Sequence, residues 1–488
     1  MVQRAALERV LTGVPGLDSI LGGGLLPGGL YMVQGPPGAG KTILAAHLAF
    51  NQTATGNRAA FVTLLSESHD RLLQYLQPLT FFREEHIGDR LVFLSGHQAI
   101  VDGEVESLLQ LLVNAIKQQA ATFLVVDEIS TAYALCRDAL TFRRFLHRLQ
   151  AFMQAYRCTG VLLTTGRAVE RDFLAPVVDG FVELKRVTSG LREARALRAG
   201  KSRGGLHLEG WHYYRITGDG VAVYPRTELV HGMTRAPLGD EPPIRMPTGL
   251  ARLDAMLRGG LSPGTVLLVV GPTGSGKTLL SLSFALAGRE PSVYVGFYES
   301  PPELIRKARR VGLLAAQETA EAVKILWQPP QEGLIDVVAE RTIEAVDRVA
   351  ARRVIVDGLG GLQAMALFPS RLGRFLSALM NELRNRGAAV VFTAEPAELT
   401  LFGHARTGSG LSVVADSVLN LRYVHARGEL RRLLSILKVR DSDYETAVHE
   451  FQITNDGITV AESPISAATL LGNRVTSPWH DAEDRPAT

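Results

Sequence analysis

Short, wholly apolar runs recur along the chain, and several of them end in a glycine-rich loop or a carboxylate. LYMVQ (30–34) and VLLVV (266–270) lead into glycine loops. The stretches that follow, TILAAHLAFNQTA and TLLSLSFALAG, read as helices. RAAFVTLL and SVYVGF are the next strands, then TFLVVD and RVIVD, then TGVLLTT and AAVVFTA. A strand apolar at every position is buried on both faces, unlike the alternating strand of a half-exposed sheet. Such strands separated by helices predict an α/β fold, a mostly parallel sheet with helices on both faces.

The pattern is written twice. TGVPGLDSILGGGLLPG begins at Thr12 and TGLARLDAMLRGGLSPG at Thr248, an offset of 236 (248 − 12). Lys41 and Lys277 keep that offset (277 − 41 = 236). Near the two ends, YRITGDGVAVYP matches FQITNDGITVAE, with Ile216 and Ile453 separated by 237 (453 − 216). A period this long marks a duplicated domain, not a solenoid. The join, RTELVHGMTRAPLGDEPPIRMPTG, holds Pro237, Pro242, Pro243 and Pro247 and no apolar periodicity, so it reads as an exposed linker. The expected division is 1–233, 243–463, and a polar tail, 464–488.

Composition narrows the class. The 488 residues suit two or three soluble domains, with 46% hydrophobic and 21% charged residues. The 52 Lys+Arg nearly cancel the 49 Asp+Glu to leave a formal +3, which gives no argument for nucleic acid. Cys136 and Cys158 form no CxxC pair, so a zinc ribbon is not supported; both read as small hydrophobes in a reducing compartment. No apolar run reaches the roughly 18 residues that span a bilayer. MVQRAALERVLTG lacks the apolar core of a signal peptide, so the expected location is cytoplasmic, with no membrane association.

The glycine loops carry the clearest chemistry. GPPGAGKT (35–42) and GPTGSGKT (271–278) both fit GxxxxGK[ST], between a buried strand and a helix. Backbone N–H groups around Gly35, Gly38 and Gly40, and around Gly271, Gly274 and Gly276, would cradle the phosphates of ATP at a helix N-terminus. Lys41 and Lys277 would contact the β and γ phosphates, and Thr42 and Thr278 would hold Mg²⁺ through their hydroxyls. Asp127 and Asp357 end apolar strands 86 and 80 residues beyond those lysines (127 − 41, 357 − 277), a position suited to holding the metal through water. Glu67 and Glu299 follow the next strand and are candidates to orient or deprotonate water. Lys201 and Arg203, like Lys438 and Arg440, lie two apart before the terminal hairpins. On a strand that spacing puts both cations on one face, which fits a finger reaching a neighbouring subunit's phosphate and, equally, a solvated strand edge.

With TGVPGLD, the two loops, FVTLLSES and VYVGFYES, the two aspartate strands, KSRGGLHLEG and KVRDSDYE, the chain resembles the KaiC-like branch of the RecA-type ATPases from about Thr12 to Val460. The resemblance implies tandem RecA-like P-loop domains, a double-ring homohexamer, ATP at each subunit interface, and Lys201, Arg203, Lys438 and Arg440 acting in trans. It also implies a signalling or timing role with a protein partner of KaiB-like type. The family places two adjacent acidic residues at the strand tip; here Ser66 and Tyr298 replace the first, leaving Glu67 and Glu299. Glu128 is the substitute base in the first domain, where the second has Gly358, so the first ring is expected to be the better hydrolase. The family's Ser–Thr phosphorylation pair is matched by Ser412 followed by Val413, which leaves weak single-site Ser/Thr kinase activity on Ser412, Thr407 or Ser409 as the alternative. A RecA-like DNA recombinase or helicase is a further alternative; the basic run LREARALRAGKSR (191–203) is assigned instead to a hairpin and the finger.

Overall fold

A computed structural model of the chain describes residues 7–64, 69–101, 105–165, 176–231, 244–288, 290–315, 322–331, 333–396, 414–426, 429–440, 442–455 and 457–465. The chain forms two compact units, Met1–Leu229 and Val230–Thr488. In the first, the strands are β1 (Leu30–Gln34), β2 (Ala59–Thr63), β3 (Leu91–Ser95), β4 (Phe123–Asp127), β5 (Thr159–Thr164), β6 (Gly180–Ser189), β7 (Arg192–Ser202), β8 (His212–Thr217) and β9 (Gly220–Tyr224). Among the described residues they form one sheet in the order β3-β2-β4-β5-β1-β6-β7-β8-β9. Strands β3 through β6 pair in parallel, and β6 to β9 continue as antiparallel hairpins.

The second unit repeats this plan with β10 (Val266–Val270), β11 (Ser292–Gly296), β12 (Val323–Trp327), β13 (Arg353–Asp357), β14 (Ala389–Ala394), β15 (Ser417–Ala426), β16 (Glu429–Val439), β17 (His449–Thr454) and β18 (Gly457–Val460). Its order is β12-β11-β13-β14-β10-β15-β16-β17-β18, the first order translated element by element. Both units are thus α/β domains with a large, mostly parallel sheet.

The unbroken apolar strands have a direct cause. Side chains alternate across the sheet, and each face has its own helical cover. In the first unit Val33, Phe61, Val125 and Val161 pack with Leu44, Ala45 and Leu48 of the helix Lys41–Ala54. Their neighbours Met32, Val62, Leu124 and Leu162 pack on the other side with Leu112 and Leu149, from the helices Val105–Gln118 and Ala139–Ala155. The second unit divides Val269, Tyr294 and Ile355 from Leu268, Val293 and Val356 in the same way. Fully burying each such side chain stabilises the domain by about 1.5–3 kcal/mol before entropy is counted, so a charge placed within these strands would be strongly destabilising.

The repeated opening motif anchors the loop helix. The Asp18 carboxylate accepts from the Thr12 N–H at 2.9 Å, and Asp254 accepts from the Thr248 N–H at 2.6 Å. Carbonyls of that turn are then held from the helix Lys41–Ala54, with Asn51 donating to Thr12 O at 3.2 Å and Gln52 to Leu11 O at 2.6 Å. TGVPGLD therefore carries structure in this fold, fixing the far end of the helix whose N-terminus follows the glycine loop.

Candidate nucleotide sites

Each glycine loop emerges from the C-terminal end of a central strand and runs directly into a helix. In open α/β sheets ligands bind in the crevice at that end. Gly40 and Gly276 cap the two helices with φ of 92° and 104°, in the left-handed region. A Cβ on Gly40 would sit 2.4 Å from Ile216 Cδ1, and one on Gly276 2.7 Å from the Phe451 ring. Glycine is needed there twice over, for conformation and for space.

The structure brings the sequence-predicted pair together in both domains. Thr42 Oγ1 donates to Asp127 Oδ2 at 2.8 Å, and Thr278 Oγ1 donates to Asp357 Oδ2 at 2.9 Å. A hydroxyl and a carboxylate this close, at the start of the loop helix, suit one hard cation and its water shell. These donors fit Mg²⁺, and the N-termini of the loop helices fit phosphate. Lys41 Nζ donates to Gly35 O at 2.9 Å, and Lys277 Nζ donates to Gly271 O at 2.7 Å and Pro272 O at 3.0 Å. Both ammonium groups therefore lie over their own loops, where a polyphosphate would meet them.

In the second domain the loop opens on a cavity of about 650 Å³ lined by Lys277, Thr278, Glu299, Asp357, Glu395 and Arg432, among others. That volume is within the range for small-molecule sites. Asp357 receives two further hydroxyls, Tyr294 at 2.6 Å and Thr393 at 2.6 Å. Burial and the adjacent Asp357 carboxylate raise the Tyr294 phenol well above its ordinary value, so it remains a donor. The first domain has Phe61 at that place in the strand. A cavity of about 380 Å³ adjoins its loop, lined by Lys41, Thr42, Arg195 and Ile216.

The carboxylates differ between the domains. Glu299 lines the second cavity, forms an ion pair with Lys307, and keeps Oε2 buried without a hydrogen-bond partner among the described residues. Glu128 adopts φ 86°, left-handed for a non-glycine residue. Its Oε1 accepts from Ser130 Oγ and from the Thr165 N–H at 2.9 Å, which fixes it at the tip of β5. Gly358, its counterpart, has φ 106°, and a Cβ there would meet the Tyr298 ring at 3.3 Å. Glu67 and Ser66 lie outside the described residues, as do Ser412, Thr407 and Ser409.

The cationic pairs sit far from their own loops. Lys201 Nζ donates to Val178 O at 2.6 Å, while Arg203 reaches Asp179 at 3.2 Å and Pro176 O at 3.3 Å. Asp179 in turn accepts from Leu30 N at 3.0 Å, the first residue of β1. The second domain repeats this through Lys438 on Ala415 O at 2.8 Å, Arg440 near Asp416 at 3.5 Å, and Asp416 on Val266 N at 2.9 Å. The length of β1 or β10, roughly 17 Å at about 3.3 Å per residue, separates each pair from the loop of its own domain. Desolvation lowers Lys201 and Lys438 from the ordinary lysine value. In the basic run 191–203, Arg198 pairs with Glu183 at 2.7 Å and Arg186 with Glu193 at 3.0 Å, so part of the hairpin's charge is neutralised by acids of the same hairpin.

Several site residues escape a reading of the sequence. Tyr294 reads as one more apolar strand residue, and Glu395 as part of a loop. Arg195 and Arg432 were detectable: both line the loop cavities and both keep the 237-residue offset (432 − 195) of the terminal repeat.

The family model described as "ATPase: KaiC" matches residues 10–228 and again 246–465. The chain belongs to the KaiC family of ATPases. It is 25% identical over 481 residues to circadian clock oscillator protein KaiC 1 of Synechocystis sp., covering 95% of this chain and 91% of that one. It is 24% identical to circadian clock oscillator protein KaiC of Synechococcus elongatus, over 94% of this chain and 90% of the relative. The KaiC of Parasynechococcus marenigrum is 26% identical over 94% and 91%. The chain therefore carries two KaiC-family P-loop ATPase domains across nearly its full length. No helix among the described residues is long and apolar enough to cross a membrane.

Proposed function

We propose that this KaiC-family chain is a Mg²⁺-dependent ATPase that assembles into nucleotide-stabilised double-ring hexamers and serves as a cytoplasmic signalling, timing or scaffold protein. Residues 1–233 and 243–463 form the two rings, and 464–488 a tail. The supporting observation is the separation of each cationic pair from its own loop by the length of the central strand. Cations at one end of the central strand and a phosphate loop at the other form a composite site when subunits stack side by side. Lys201, Arg203, Lys438 and Arg440 then meet a neighbour's phosphates, and nucleotide neutralises the charge at the interface.

Within each site Lys41 and Lys277 hold the β and γ phosphates, Gly35, Gly38, Gly40, Gly271, Gly274 and Gly276 admit them, and Thr42 with Asp127 or Thr278 with Asp357 hold the metal. Mg²⁺ would neutralise charge on the transferred phosphoryl group. Glu67 and Glu128 orient water in the first ring and Glu299 in the second. Lys307 holds the Glu299 carboxylate in an ion pair, while Glu128 supplements Glu67 in the first ring, so the first ring hydrolyses faster. The relatives' names support a timing or signalling role, and a KaiB-like protein is the kind of partner expected.

Sedimentation of the full chain tests assembly. Mg-ATP should give a hexamer and its removal smaller species, and Arg203→Ala with Arg440→Ala should abolish the shift. A hexamer equally stable to dilution without nucleotide would refute the proposal. A second reading, weak autophosphorylation of Ser412, Thr407 or Ser409, draws support from Glu395: the residue lines the second cavity, and the acceptors lie 12 to 17 positions beyond it (407 − 395, 412 − 395).

A further inference from the structure

The parallel pairings align the two domains residue by residue at the sheet's phosphate end. Gln34 pairs with Thr164 in the first, and Val270 with Ala394 in the second. The next residues along β5 and β14 are Thr165 and Glu395. Loop alignment likewise sets Pro37 opposite Thr273. Both substitutions change the chemistry at the loop mouth. Glu395 Oε1 accepts from Thr273 Oγ1 at 2.6 Å and lies 3.6 Å from Lys277 Nζ. In the first domain the Pro37 side chain has no donor, Thr165 is engaged by Glu128, and among the described residues Lys41 has no carboxylate within ion-pair distance.

We propose that Glu395 is a positioning residue that latches the second phosphate loop, so that a triphosphate binds there only by displacing a carboxylate from Thr273 and Lys277. This rests on the reading of that loop as an ATP site. The physical argument is competition for one cation. Lys277 is largely buried, with its side chain 13% exposed, so its partners are limited to the loop carbonyls, Glu395 and an incoming phosphate. A polyphosphate entering beside Glu395 meets a like charge at short range, in a cleft where screening is weaker than in bulk water. The latch thus sets nucleotide affinity in the second domain without altering the first. It should discriminate by phosphate length, since the β and γ phosphates are those that need Lys277.

The test uses full-length chain carrying Lys41→Ala, which silences the first loop, and a fluorescent N-methylanthraniloyl ATP as probe. Adding Glu395→Gln keeps an acceptor for Thr273 and removes the charge. It should tighten the triphosphate probe about tenfold, the effect of deleting one like charge from a partly buried site. The corresponding diphosphate should gain less, a difference that a merely structural role would not produce. Thr273→Ala, which leaves the charge in place, should shift affinity less than Glu395→Gln. Equal probe affinity with and without Glu395→Gln, or weaker affinity in the variant, overturns the latch. Absence of saturable uptake in either chain overturns the ATP-site reading itself, and the latch with it.

Discussion

Glu128 offers a direct way to separate backbone strain from chemistry. Its φ of 86° is a conformation that L-residues avoid, at about 1–2 kcal/mol per residue. Gly358, at the matching place in the second domain, adopts φ 106° without a Cβ to strain. Two replacements divide the contributions. Glu128→Ala removes the bonds from Ser130 and the Thr165 N–H but keeps the Cβ, hence the strain. It should destabilise the domain by roughly 1–3 kcal/mol, from loss of the two shorter of its hydrogen bonds at about 0.5–1.5 each, the Thr165 Oγ1 contact at 3.4 Å adding little. Glu128→Gly loses the same bonds and relieves the strain, offset by about 0.4–1 kcal/mol of extra unfolded-chain entropy. The glycine variant should therefore be the more stable of the two, by up to about 1.6 kcal/mol.

In a domain of this size each kcal/mol of that difference appears as a shift of about 2–4 °C in thermal midpoint. Calorimetry on the full chain can read it, the relevant transition being the one that also moves in a Leu162→Ala control, whose side chain is fully buried in the first domain. Phosphate release by the first domain should fall alike in both variants, because both lack the carboxylate. An alanine variant as stable as the glycine one would show that the fold does not impose the left-handed backbone. Undiminished phosphate release in both would remove Glu128 from the list of bases and leave its strain without a chemical purpose.

Three further outcomes are expected. His47 is buried against Phe81, its Nδ1 accepts from the Val221 N–H at 3.2 Å, and burial lowers it from 6.5 to about 4. The unfolded chain takes the proton first as pH falls, so stability should drop from about pH 6.5 to pH 4, by roughly 3 kcal/mol in full; His47→Asn should flatten that stretch of the denaturation profile, and an unchanged slope would contradict it. Lys307→Met frees Glu299 and, in a Lys41→Ala background, should raise phosphate release by the second domain severalfold; a fall would mean that Lys307 itself assists. Tyr294→Phe removes one hydroxyl from Asp357 and reproduces the first domain's Phe61, so the Mg²⁺ concentration for half-maximal hydrolysis by the second domain should fall; an increase would show that the phenol helps to hold the metal.

The central strands were legible because burial on both faces leaves an unbroken apolar run, and the repeat set every assignment beside a second copy. Thr42 with Asp127 and Thr278 with Asp357 were legible because strand tips face the loop helix across the sheet. Glu395 was not. It lies 118 positions beyond Lys277 (395 − 277), and only the crossover of β14 beside β10 brings the two together. The edge strands β3 and β12 were missed as well: Lys324 interrupts the apolar run of β12, whereas LVFL of β3 was an apolar run in plain view, although most of the strand is only partly buried. Nothing about a glutamate announces a left-handed φ, although glycine at the matching place in the second copy was a hint in plain view.

The differences between the two sites fall where the fold permits them. Replacing Phe61 by Tyr294 keeps the ring in the same buried strand position and adds one hydroxyl at its edge. Exchanging Thr165 for Glu395, or Glu128 for Gly358, occurs beyond the last paired residues of the sheet, where a new side chain disturbs no packed face. By contrast, Gly40 and Gly276 cannot vary without a clash with the terminal hairpin, and the Thr–Asp pair recurs unchanged. A duplicated scaffold of this kind holds two phosphate loops in the same geometry while leaving the charge around each adjustable. One domain carries Glu128 on a strained backbone beside Asp127, the other Glu395 held on the loop itself. That is sufficient physical ground for two copies of one loop to bind and respond to nucleotide differently.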